Sequence, residues 1–375
     1  MKIATYNIQN LFTRDLAFSK MNGSRNFRQW TEEFSNLLQK SKRDNPDYDR
    51  LRELAFLMGF SSIRQEPYLV LRKRGSQLFV KPKGYEMEPM ATARIGWNGW
   101  VALQGYPLHE KAIQMKAQVI AEIDPDVLIL QEVEDRAALQ EFNFGLLPNL
   151  KIKPYKELLF VEGNDKRGLG HGLLTKNGYS IKGLQTHAHE QDEKGQELFD
   201  LDCPEYTIVT PSGEEIIIIS ARFQEKTGEY DFHAKRKLQA QRLAAYYKTN
   251  LENRTEKVIV AGSLQEPYYA DALSPLFRAE QFYDICKHEN FSSELDTTKH
   301  KSYFRLGAYA KGVNITQKDY LLCSTVLWDN VQQCGMNRKG MYPGSPSKWN
   351  VFNSLSDQQY AASEHPLLWA QFTII

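Results

Sequence analysis

Several residue types that handle phosphates and metal ions recur where apolar runs stop. In Asp124-Pro125-Asp126-Val127-Leu128-Ile129-Leu130-Gln131-Glu132, an apolar run begins after a proline and delivers a carboxylate at its end. Open α/β sheets present ligand groups at this end of a strand. Asn7 follows the run that opens at Ile3, Asp319 precedes Tyr320-Leu321-Leu322, and Glu364-His365 precedes the last apolar run. Carboxylates with amide and imidazole partners suit Mg²⁺, or Mn²⁺ with similar ligands. Mg²⁺ takes oxygen donors and keeps waters that a substrate phosphate can displace.

Short elements must position these groups. Strands are expected at 3–8, 127–130, 157–161, 169–174, 215–220, 257–261, 320–323 and 367–373. Ile216-Ile217-Ile218-Ile219 is apolar on both faces, as in a covered central strand. Helices are expected at 109–123, where Ala112, Met115, Val119 and Ile123 share a face and Pro125 ends the run, and at 232–252. Residues 13–108 differ, with helical patterns at 25–39 and 48–58 and a hairpin-like alternation of 68–71 with 78–80 around Arg74-Gly75.

The order and spacing of these motifs resemble the endonuclease/exonuclease/phosphatase superfamily. Ile3-Ala4-Thr5-Tyr6-Asn7, the Pro125–Glu132 segment, Asp319-Tyr320-Leu321-Leu322 and Ser363-Glu364-His365-Pro366 carry the likeness across nearly the whole chain. Gly163-Asn164-Asp165-Lys166-Arg167-Gly168, Asp202-Cys203-Pro204-Glu205-Tyr206 and Gly96-Trp97-Asn98-Gly99-Trp100 resemble a bacterial subgroup. The resemblance implies an α+β fold, a four-layer αββα sandwich, and Mg²⁺-dependent phosphoester hydrolysis. Residues 1–375 then read as one domain with an insertion at about 13–108.

Carried over by the resemblance, Glu132 is the metal carboxylate and Asn7 the amide supporting metal and phosphate. His365 stabilises phosphoryl charge, Asp319 orients a histidine, and Asp165 with Arg167 forms a substrate-side loop. Other positions depart from the pattern. Gly262-Ser263-Leu264-Gln265 puts a serine at the family's water-activating aspartate and a glutamine at its phosphate-binding asparagine. Ala221-Arg222 replaces an Asn-His pair, Glu364 replaces an aspartate, and Gly170 stands where the subgroup has an aspartate. Losing a general base costs roughly 10²–10⁴ in rate. Two readings follow: a metal-dependent phosphodiesterase or nuclease with reduced or lost turnover, or a non-catalytic binding or regulatory relative. In either, Arg222 is a candidate phosphate clamp.

Composition narrows the partners. The 375 residues carry 47 Lys/Arg against 46 Asp/Glu, unlike a nucleic-acid coat protein. The charge is uneven. Residues 13–108 hold 16 Lys/Arg against 10 Asp/Glu, and the remainder 31 against 36. The basic insert reads as a solvated helical face with a hairpin cover, a nucleic-acid clamp being the other reading. Trp97-Asn98-Gly99-Trp100 reads as core and His187-Ala188-His189 as a surface loop. Cys203, Cys286, Cys323 and Cys334 fit idle thiols in a reducing compartment. With no membrane-length apolar stretch and no signal-peptide pattern, a cytoplasmic location is expected.

Overall fold

The structure is a computed structural model describing residues 1–15, 24–40, 42–57, 69–73, 79–80, 99–103, 105–165, 168–225, 232–279, 282–293, 317–343 and 349–374. The chain divides into two compact units, Asn10–His109 and a larger one made of Met1–Gln9 with Glu110–Ile375.

In the larger unit, a seven-stranded sheet is centred on β1 (Lys2–Asn7) and β7 (Val127–Val133), which run parallel. On one side of this pair lie β9 (Gly170–Thr175) and β8 (Glu157–Glu162). On the other lie β18 (Leu367–Phe372), β17 (Val331–Asn337) and β15 (Phe291–Ser293). A six-stranded sheet has β12 (Glu215–Arg222) and β13 (Val258–Ser263) parallel at its centre. They are flanked by β11 (Glu205–Val209) and β10 (Ser180–Gln185) on one side, and by β16 (Asp319–Cys323) and β14 (Tyr283–Asp284) on the other.

Side-chain alternation builds the layers. Ile216 and Ile218 join Ile3, Ile129, Leu173, Ile259 and Leu321 in a core between the sheets. Ile217 and Ile219 face the opposite way, onto Ala240, Leu243 and Tyr247 of the helix His233–Asn253. A continuous apolar strand thus serves two cores, as its period of two requires. The helix Glu110–Ile123 buries Ala112, Met115, Val119 and Ile120. It is tied to the seven-stranded sheet where Lys2 Nζ donates to the Ile123 carbonyl (3.0 Å) and Asn337 Nδ2 to that of Val119 (3.3 Å). Asp124, with φ 50°, ends this helix ahead of Pro125. The larger unit is therefore the expected α+β sandwich, two sheets face to face with helices outside.

The smaller unit holds the helices Ser24–Gln39 and Asn45–Leu57, joined by a bidentate Arg50–Glu33 pair (2.8 and 2.9 Å). Strand β2 (Thr13–Asp15) pairs antiparallel with β6 (Gly105–Pro107), while β3 (Leu69–Lys73) pairs antiparallel with β4 (Phe79–Val80), the expected hairpin, and with β5 (Gly99–Leu103). Trp97 and Asn98 lie outside the described residues. All four cysteines are buried free thiols, and burial pushes that of Cys334 up to about 12. Among the described residues no helix is long and apolar enough to cross a membrane.

Candidate functional site

Register carries the polar strand ends to one place. In the six-stranded sheet Arg222 stands opposite Ser263 and Ser263 opposite Asp319, so three adjacent strands end on three polar residues. In the seven-stranded sheet Asn7 is opposite Gln131. Glu132 is the extra residue of a bulge, where the β7–β9 register shifts between Gln131 and Val133, and its φ is +61°. A bulge re-aims a side chain, and a left-handed glutamate costs roughly 1–2 kcal/mol. That strain puts the Glu132 carboxylate among the other ends.

The cluster is closely hydrogen-bonded. Asn7 Nδ2 donates to Glu132 Oε1 (3.1 Å) and Ser263 Oγ (3.2 Å). Ser263 Oγ donates to Asp319 Oδ1 at 2.5 Å. His365 Nδ1 lies 2.8 and 2.9 Å from the two Asp319 oxygens. Arg222 Nε donates to Glu132 Oε1 (2.9 Å) and Nη2 to Glu225 Oε2 (3.2 Å). Burial works against a charge on His365, but the charge and hydrogen bond of Asp319, with the charge of Glu132, outweigh it and raise its pKa. With Nδ1 held by Asp319, an imidazolium offers its second N–H to an anionic oxygen.

The surrounding loops have their own anchors. Ser363 Oγ donates to the Asn7 carbonyl (2.7 Å) and to Gln9 Oε1 (3.2 Å), and the Glu364 N–H donates to the same Gln9 oxygen (2.7 Å). The fully buried Lys116 donates to the carbonyls of Ile8 and Ala362, fastening both approaches to the cluster. Sequence reasoning passed over Gln9, Lys116 and Glu225. Ser363 had a signal, two residues ahead of His365 in a motif already singled out.

His171 was missed as well. It is fully buried, its Nδ1 2.8 Å from Ser220 Oγ, and desolvation lowers its pKa to about 4 despite the nearby charge of Asp202.

Other expected site residues sit differently. Glu364 is exposed. Gln265, left-handed at φ 62°, has its Nε2 buried without a hydrogen-bond partner. Asp165 lies in the turn after β8, its carbonyl accepting from the Gly168 N–H (2.8 Å), and Arg167 lies outside the described residues. Glu266 is engaged with Arg236 at 2.6 Å. Ala221 faces the helical layer, so its apolar side chain belongs to packing, as strand alternation from Arg222 demands.

Gly170 is fixed by crowding. A Cβ there would meet the Val161 carbonyl oxygen at 2.3 Å, so an aspartate does not fit this backbone. Gly262 is stricter, with φ 139° and a Cβ position 1.9 Å from the Ala221 carbonyl oxygen. The expectation of a surface His187 is corrected. Its ring is buried, stacked on Tyr246 at 3.8 Å with Nε2 2.7 Å from Glu205 Oε1, and only His189 of the pair is exposed. A polar stretch hid a histidine whose partner lies on β11.

These donors do not suit the divalent ion that the resemblance implies. Mg²⁺ binds carboxylate oxygen at about 2.0–2.1 Å, whereas Glu132 Oε1 already accepts from Arg222 and Asn7. Among the described residues no group of three or more His, Cys, Asp or Glu is arranged to hold a metal.

No protein-family model and no curated protein matches the chain. Solved structures similar to it include the human Nocturnin catalytic domain with bound sulfate, at TM-score 0.47 and 14% identity over 71% of this chain and 88% of that one. A truncated TDP2 of Caenorhabditis elegans aligns at 0.43 and 15%, over 70% and 91%. An endonuclease/exonuclease/phosphatase from Bacteroides vulgatus aligns at 0.45 and 16%, over 70% and 91%.

Proposed function

We propose that this chain recognises a phosphoester, nucleic acid included, on a phosphodiesterase-type scaffold whose own hydrolysis is reduced or lost. One observation carries the reading: the Ser263 hydroxyl is committed in both directions. It accepts from Asn7 Nδ2 and donates to Asp319 Oδ1. The residue at the water-activating position is therefore a donor locked onto a carboxylate, which is itself engaged by His365. Glu266, the nearest other carboxylate in the chain, is turned to Arg236. Without a base the rate falls by roughly 10²–10⁴, about 3–5 kcal/mol of barrier. What remains suits binding: an imidazole held as a donor toward anionic oxygen and the buried Gln265 amide.

The test compares the wild type with Arg222→His/Ser263→Asp/Gln265→Asn on an activated phosphodiester and on DNA, with Mg²⁺ or Mn²⁺. A silent wild type and an active triple variant are expected. Wild-type turnover that disappears in Glu132→Ala refutes the loss of hydrolysis.

A further inference from the structure

Arg222 does more than remove a histidine. Its guanidinium sits on the carboxylate that the resemblance assigns to a metal ion, and both residues are 3% exposed. Backbone pairing fixes its origin, because Arg222 lies in register with Ser263 on β13. We infer that this guanidinium is a tethered cation standing in for the divalent ion, so that Glu132 holds no metal and anion binding here is metal-independent. The inference rests on the phosphate-recognition reading but is tested separately from it.

Charge and geometry agree. A divalent ion at Glu132 would sit beside a fixed positive charge in a desolvated site, which weakens its binding by several orders of magnitude. The two engaged nitrogens differ in release. Nε is held by buried Glu132, whereas Nη2 is held by Glu225, whose side chain is 25% exposed. Glu225 can turn to solvent and yield Nη2 to a phosphate oxygen while Nε stays on Glu132. The guanidinium then bridges protein carboxylate and ligand phosphate, as a metal ion would. Glu225 is thus a placeholder for the anion.

The experiment pairs Mn²⁺ titration, read by electron paramagnetic resonance, with inorganic phosphate titration by calorimetry, in EDTA and in Mg²⁺. Expected are no stoichiometric Mn²⁺ binding by the wild type and equal phosphate affinity with or without metal. Phosphate affinity should rise about tenfold in Glu225→Gln, equivalent to one released charge-assisted hydrogen bond. Stoichiometric Mn²⁺ binding by the wild type that is lost in Glu132→Gln overturns the inference, as does phosphate binding that requires metal. The wild-type arm needs no variant to fold. Failure of phosphate to bind under any condition counts against the recognition reading, and the Mn²⁺ arm still decides the role of Arg222. Turnover without metal likewise refutes the loss of hydrolysis and leaves the tethered cation standing.

Discussion

Replacing Arg222 with methionine should destabilise the larger unit far more than removing a surface charge does. Arg222 and Glu132 are each 3% exposed, and the 2.9 Å bond between their side chains joins the six-stranded to the seven-stranded sheet. Removing one partner of a buried pair costs about 3–5 kcal/mol, because the remaining charge was desolvated on the assumption of company. Glu132→Gln should cost less, about 1–3 kcal/mol, since Arg222 keeps Glu225 at 3.2 Å. In Arg222→Met/Glu132→Gln both charges are gone, and the glutamine oxygen can still accept from Asn7 Nδ2. That double variant should lie within about 1–2 kcal/mol of wild type. The coupling energy is therefore at least about 2 kcal/mol, and it should persist at about 1 M salt because buried pairs are weakly screened. Urea midpoints of the four proteins, compared at constant slope, measure it. Single-variant effects that add within about 0.5 kcal/mol would show that the pair is not a unit.

Other expectations follow from the same geometry. His171 is held neutral with a pKa of about 4 against 6.5 unfolded. Stability should thus be intact above pH 6.5 and fall by about 3 kcal/mol as pH drops through 4. A urea–pH series on wild type and His171→Gln tests this, and equal slopes in the two would sink it. His365 has the opposite sign. Its raised pKa contributes stability that is full below about 6.5 and lost as pH climbs through the folded value, and Asp319→Asn should lower that pKa in an NMR titration. Gly170→Asp should destabilise, because its Cβ position is 2.3 Å from the Val161 carbonyl oxygen. A variant with an unchanged melting temperature would contradict the crowding. Gly262→Ala should be worse still, with both a left-handed φ and a 1.9 Å approach against it, and soluble yield at wild-type level would refute that.

Most central strands of the larger unit were readable from local pattern. The runs at Ile3, Val127, Glu215, Tyr320 and Leu367 became β1, β7, β12, β16 and β18, because residues buried on both faces must be apolar at every step. β17 was not readable: its Val331-Gln332-Gln333-Cys334-Gly335 start mixes exposed glutamines and a glycine into a strand that pairs with β18 through a register shift. The bulge at Glu132 was equally silent, since nothing in Leu130-Gln131-Glu132-Val133 announces a positive φ.

By itself, then, the sequence determined which chemical groups end which strands, including a serine and an arginine where the superfamily it resembles has an aspartate and a histidine. Residue type and strand period are local properties, and they survive without coordinates. Only the tertiary structure decided what those groups do to one another. Arg222 and Glu132 are 90 residues apart and on different sheets, and their contact depends on the register of β12 with β13 and the bulge in β7. Antiparallel pairing of β13 with β16 within one sheet locked Ser263 onto Asp319, while strand alternation turned Ala221 to the helical layer. Partnership between charges is set by distances of about 3 Å across the fold, and no one-dimensional spacing encodes those.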